Sequence, residues 1–289
     1  MGTPEQPPAG LPAGRRGGVT AALAGSCHPG PVLAVTALMA ALAVTAGQSA
    51  PRCALTVAAV LTGQLSVGWC NDAFDAPRDI AARQRGKPLV DGAVGVRTVW
   101  TAAFLALALC VPLSFGCGPR AGAVHLTGVA WAWAYDLKLK ATAWSWLPYA
   151  IGFAGLPAFV ALGLPGQPWP AWWIVVAGAL LGIGAHLGDV LPDIRSDLEL
   201  GVRGWPHRLG PDGARLLLPV PLVAASAVLV LGPAGTPDSW APAALGVAAA
   251  VAVAGTVVGR RRERAAFAAA VTVAVVDVAL LLWSGATIA

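Results

Sequence analysis

Nine apolar stretches leave this chain few ways to fold. They fall at about residues 31–49, 53–71, 94–113, 119–135, 142–163, 169–189, 213–232, 238–258 and 265–288. Most approach the ~20 residues an α-helix needs to cross the hydrocarbon core of a bilayer. Composition agrees: only 11% of the 289 residues are charged, 57% are hydrophobic and the mean hydropathy is +0.69. A soluble domain carries about 25% charged residues. The expected fold is therefore all-α and polytopic, with nine transmembrane helices around a central cavity.

The basic residues test this reading independently. With the N-terminus in the cytoplasm, the loops after the second, fourth, sixth and eighth stretches are cytoplasmic too. They hold Arg78, Arg83, Arg85, Lys87, Arg97, Lys138, Lys140, Arg195, Arg203, Arg208, Arg215, Arg260, Arg261, Arg262 and Arg264. With Arg15 and Arg16, that places 17 of the 19 basic residues on one side, leaving Arg52 and Arg120 on the other. The positive-inside rule asks for this asymmetry. The formal charge of +5 thus follows topology and implies no nucleic-acid partner. The Pro- and Gly-rich residues 1–18 read as a disordered cytoplasmic head, and residues 19–289 as one membrane domain. The five cysteines show no metal-binding or disulfide spacing and read as small core residues.

Two acidic clusters interrupt the apolar pattern. Asn71, Asp75 and Asp79 lie four apart, as do Asp189, Asp193 and Asp197, each of the second row 118 positions after its counterpart. Four-residue spacing stacks side chains on one face of a helix. An even number of spans separates the rows, so the two units run in the same direction as a parallel repeat. Both rows then open on the cytoplasmic side. Facing rows of carboxylates suit Mg²⁺ bridging an anionic ligand such as a diphosphate. Solvated charges balancing nearby arginines are the plainer reading, but the spacing occurs twice at equivalent depth. Asp72 is out of step with its row. Pro77 and Pro192 suggest kinked helix ends beside a wet pocket.

The clusters resemble the paired NDxxDxxxD and DxxxDxxxD signatures of the UbiA superfamily of membrane prenyltransferases. Lys87-Pro88-Leu89 with Gly92 is similar to the segment that follows the first signature, and Tyr135 to Lys140 to the motif ending the fourth helix. Residues 201–210 depart from the Thr-Leu-rich segment common in quinone-pathway members. The resemblance implies a prenyl diphosphate donor, with Mg²⁺ held by Asn71, Asp72, Asp75, Asp79, Asp189, Asp193 and Asp197. Asp72, Asp75, Asp193, Lys140 and Tyr135 become the expected catalytic residues. Arg83, Lys87, Lys140, Tyr135 and Arg208 become candidates to grip the diphosphate.

Phe74 and Trp69 stand where they would touch a prenyl chain. Gln64 and His186 are candidates to line the pocket and bind substrate, as acceptor-binding or base groups, with a hydrogen-bonded packing role the plainer reading of each. The remaining tryptophans cluster near predicted helix ends, as an interfacial belt requires. Asp277 is an isolated intramembrane carboxylate, a functional candidate by default. The expected activity is prenyl transfer to a lipophilic or aromatic acceptor at the cytoplasmic membrane, with membrane lipid the other partner. The alternative is a membrane terpene cyclase, which needs the same acidic rows. A transporter reading fails on depth, because transporter ion sites lie near mid-membrane.

Overall fold

The structure is a computed structural model that describes residues 18–84, 86–233, 241–258, 265–284 and 288. Among these residues there is no strand. Twelve α-helices follow in order: α1 (Val19–Ser26), α2 (Pro29–Thr45), α3 (Ala50–Ala81), α4 (Val96–Gly116), α5 (Pro119–Leu137), α6 (Trp146–Leu162), α7 (Trp172–Val190), α8 (Ile194–Glu199), α9 (Trp205–Leu217), α10 (Pro219–Leu231), α11 (Ala241–Val258) and α12 (Ala265–Ser284). Short 3₁₀ turns occupy Leu139–Ala141 and Leu191–Asp193. Each expected apolar stretch coincides with a helix, from α2 to α7 and from α10 to α12. By length and apolarity, Ala50–Ala81, Val96–Gly116 and Trp172–Glu199 are long enough to cross a membrane. Two bent pairs, α1 with α2 at 71° and α9 with α10 at 50°, raise that number to five among the described residues. The expected N-terminal head, Arg85 and the basic run Arg260 to Arg264 lie outside the described residues, the head except for Gly18.

The helices differ from the expectation at both acidic clusters. The first cluster does not follow a helix; it lies inside one. α3 runs on to Ala81 through Pro77, although proline forfeits a backbone hydrogen bond. Packing outweighs that loss: Ala73 and Ala76, 2% and 1% exposed, join Ala22, Leu89, Val94 and Val99 in one apolar cluster. At the second cluster one 3₁₀ turn interrupts the α-helical hydrogen bonding of a segment that runs on to Glu199. α7 ends at Val190, Pro192 sits in the 3₁₀ turn, and α8 begins at Ile194. Asp189, Asp193 and Asp197 therefore do not form one continuous α-helical row. The repeat is a likeness of motif spacing rather than of backbone.

Close helix approach rests on small residues, as membrane packing favours. A Cβ on Gly178 would come within 2.6 Å of the Phe153 carbonyl oxygen, and one on Gly182 would strike the Tyr149 carbonyl. These two glycines, four apart on α7, let α6 lie directly against it. Gly68 does the same for the bend between α1 and α2, whose Cys27 carbonyl would collide with any side chain there. Trp69 Nε1 donates to Leu23 O at 2.9 Å, so this indole ties α1 to α3 rather than facing a substrate. All five cysteines are free thiols. Asp277 is buried between α12 and α10, accepting from Ser226 Oγ at 2.7 Å.

Candidate active site

A cavity of about 460 Å³ opens between α2, α3, α5, α6, α7 and α12. One end is polar and the other apolar. Asn71 and Asp75 from α3, Asp189 from α7, Asp193 from the 3₁₀ turn and Asp197 from α8 all line it, so both clusters meet at one mouth. The apolar end includes Val35, Leu38, Val129, Phe153, Leu156 and Leu181.

Each carboxylate has its own setting. Asp75 takes a short hydrogen bond from Lys140 Nζ and faces Arg78 Nη2 at 3.0 Å. Asp79 accepts from Lys87 Nζ at 2.7 Å and lies 3.7 Å from Arg78 Nε. Arg78 thus bridges two carboxylates of one row. Asp189 accepts from Tyr149 Oη at 2.7 Å, and Asp197 lies 3.1 Å from His207 Nε2. Asn71 Nδ2 donates to Asp136 Oδ1 at 2.9 Å.

Two of the expected metal ligands sit back from the cavity wall. Asp72 and Asp79 are 3% and 1% exposed and do not line it. Asp72 is one residue out of phase with Asn71 and Asp75, and turns toward His28, whose Nε2 is 3.9 Å away. Other expected contacts are also displaced. Arg83 and Arg208 are exposed and away from the lining; Arg208 Nε bonds the Arg203 carbonyl at 3.3 Å. Phe74 is 43% exposed and lies under Lys140 Nζ, 5.4 Å from its ring centroid, outside the cavity. His186 is 1% exposed, with Nε2 held 3.0 Å from Ser145 Oγ, so it packs behind the wall. Lys87, Lys140, Tyr135 and Gln64 line the cavity.

The structure adds residues that the sequence did not single out. Tyr149 stacks edge-on against Tyr135, with ring centroids 5.2 Å apart. Asp136, Arg78 and His207 line the mouth, as does His28, whose backbone holds a left-handed φ of 55° between α1 and α2. Arg78 had a signal in its spacing three residues after Asp75. Lone residues such as Tyr149 and His207 had none.

Electrostatics limits what this mouth can bind. Asp75, Asp136, Asp189, Asp193 and Asp197 line the mouth with Arg78, Lys87 and Lys140, five carboxyl groups against three cations. By itself such a mouth repels a diphosphate. Among the described residues no three His, Cys, Asp or Glu side chains already converge as a metal centre. The metal-type donors lining the mouth are mainly oxygens, those of Asn71, Asp75, Asp136, Asp189, Asp193 and Asp197, with the His28 and His207 imidazoles beside them. That donor set fits Mg²⁺, which binds through a few carboxylates together with substrate phosphates and water.

The chain is 29% identical over 172 residues to the bacteriochlorophyll synthase 33 kDa chain of Cereibacter sphaeroides, covering 55% of each. It therefore spans about half the length of that curated relative. Its fold is similar to a UbiA homologue of Archaeoglobus fulgidus solved with DMAPP and Mg²⁺, with a TM-score of 0.68 at 16% identity over 91% of this chain and 97% of the other. A digeranylgeranylglyceryl phosphate synthase structure matches with a TM-score of 0.63 at 14% identity, over 93% and 99%. Identities this low speak for the fold alone. The model of the UbiA prenyltransferase family, however, matches residues 32–285, most of the chain. The chain belongs to the UbiA prenyltransferase family.

Proposed function

We propose that this protein is a Mg²⁺-dependent intramembrane prenyltransferase, moving a prenyl group from a prenyl diphosphate to a lipophilic or aromatic acceptor. One observation carries the reading: a single cavity joins an anionic, oxygen-lined mouth to an apolar chamber. The relatives are in keeping with it, since homologues from Archaeoglobus fulgidus were solved with GPP or DMAPP and Mg²⁺.

Asn71, Asp75, Asp189, Asp193 and Asp197 would hold Mg²⁺ at the mouth, with Asp72 and Asp79 behind them. Bound there, the metal would neutralise charge growing on the leaving diphosphate. The side chains supply the rest. Lys140, Lys87 and Arg78 would exchange carboxylate partners for phosphate oxygens, the Lys as point charges and the Arg as a fork. Tyr149 keeps the Asp189 carboxylate oriented. The Tyr135 face would stabilise an allylic cation at the boundary between mouth and chamber. The apolar walls hold the chain and exclude water, which would otherwise capture the cation.

In this reading all nine apolar helices cross the cell membrane, the N-terminus and the mouth face the cytoplasm, and the tail end of the chamber lies in the bilayer. The test is product analysis. Purified protein is incubated with Mg²⁺, geranyl, farnesyl or geranylgeranyl diphosphate, and a set of aromatic acceptors. The expected product is a prenylated acceptor, abolished by EDTA. Cyclic hydrocarbon formed without acceptor would identify a cyclase instead.

A further inference from the structure

The apolar half of the cavity contains two polar side chains that the chemistry at the mouth does not use. His125, in the middle of α5, is 6% exposed and lines the cavity. Its ring stacks on Phe159, with centroids 4.5 Å apart and planes 14° apart. Its Nδ1 lies 2.8 Å from Ser114 Oγ. Ser114 has one hydroxyl proton and donates it to the Cys110 carbonyl at 2.6 Å. Ser114 Oγ therefore accepts from Nδ1–H, and in the neutral ring Nε2 is left as a lone-pair acceptor. No hydrogen bond among the described residues engages Nε2.

Across the helix contact, Gly63 makes room for this ring: a Cβ there would lie 3.4 Å from His125 Cε1. The next residue, Gln64, lines the same cavity, and its amide has no hydrogen-bond partner among the described residues. A hydrocarbon tail packed against these two side chains would leave both desolvated and unpaired, which is unfavourable. A chamber built only for a prenyl chain has no use for them. Seven residues of α3 separate Gln64 from Asn71, a rise of about 10 Å.

We propose that His125 and Gln64 form a subsite for the prenyl acceptor. Its ligand is a lipophilic molecule with an O–H or N–H group that donates to His125 Nε2, while the Gln64 amide bonds the same polar group. The reacting atom of that molecule would lie near the mouth, about 10 Å away along α3, so the acceptor is elongated or polycyclic. This rests on the prenyl-transfer reading and narrows it, because cyclisation of a hydrocarbon chain requires no such subsite.

The test uses the full-length protein in detergent, without prenyl diphosphate, titrated calorimetrically with 1-naphthol and with 1-methoxynaphthalene. The wild type is expected to bind the naphthol about tenfold more tightly than the ether, the ratio for about 1.4 kcal/mol of hydrogen bonding. His125→Phe, which keeps a flat ring on Phe159, and Gln64→Leu are each expected to erase most of that preference. Should His125→Phe fail to fold, Gln64→Leu decides, since it breaks no hydrogen bond among the described residues. Equal binding of the two probes by the wild type, or a preference that survives the substitutions, overturns the subsite. Failure of prenyl transfer is read separately. A naphthol preference without any prenylated product leaves the subsite standing and removes the proposed function.

Discussion

Lys140 and Asp75 show how residue-level chemistry divides the work at the mouth. The ammonium bonds Asp75 and also lies over the Phe74 ring, so packing fixes its position as much as charge does. Lys140→Met removes the cation and leaves Asp75 with Arg78 alone. Prenyl transfer is expected to fall by at least about tenfold, since a charge-assisted hydrogen bond is worth roughly 1.5–3 kcal/mol. Lys140→Arg is expected to restore little, because a planar fork does not replace a point charge here; steady-state kinetics of both variants is the check. Tyr149→Phe removes one donor from Asp189 and keeps the ring. The Mg²⁺ concentration giving half-maximal activity should rise, with little change at saturating metal. An unchanged Mg²⁺ profile would show that Tyr149 does not orient Asp189. At this scale the sequence was legible where side chains repeat at a helical interval. Asn71 and Asp75, four apart, share the face of α3 that lines the cavity and Asp72 is out of phase with them, while Asp79, one turn further on, sits back from the wall beside Lys87. Tyr149 and Asp136 were silent, since each gains its role from a partner distant in the chain, and His207 reaches Asp197 only through the turn between α8 and α9.

At the scale of elements, periodicity located the apolar helices but not their ends. α3 continues past the predicted boundary because Ala73 and Ala76 are buried, a tertiary effect invisible in the proline signal. α7 gives way to a 3₁₀ turn after Val190, where Pro192 brings no N–H to an α-helical hydrogen bond, although Leu191 and Ile194 on that turn are buried. The glycine contacts between α6 and α7 were equally unreadable, since Gly occurs in most apolar stretches. They carry a prediction. Gly182→Ala forces a Cβ against the Tyr149 carbonyl and should cost about 1–3 kcal/mol through overpacking. The thermal transition in detergent is expected to drop by several degrees, whereas Gly152→Ala, where a Cβ meets nothing within 4 Å, should leave it nearly unchanged. Similar shifts for both variants would contradict the close α6–α7 contact.

For the whole molecule, the charge distribution predicts the topology. Basic residues predicted to be cytoplasmic include Lys87 and Lys140, and both line the same mouth as the acidic clusters. A positive-inside count and a cavity thus point to one face. In a cysteine-free background, a single cysteine at position 203 should react with a membrane-impermeant thiol reagent only after the membrane is opened. One at position 120 should react in intact cells, and the reverse pattern would invert the assignment. The shape of the cavity was beyond the sequence, because it depends on which faces of six helices turn toward one another.

The most direct measurement is geranyl diphosphate binding as Mg²⁺ is titrated, in the wild type, Asp75→Asn and Asp193→Asn. If both clusters act together at one mouth, binding should require Mg²⁺, and each substitution alone should weaken it by at least about tenfold. Binding that needs no Mg²⁺, or that responds to only one of the two clusters, would contradict a shared diphosphate site.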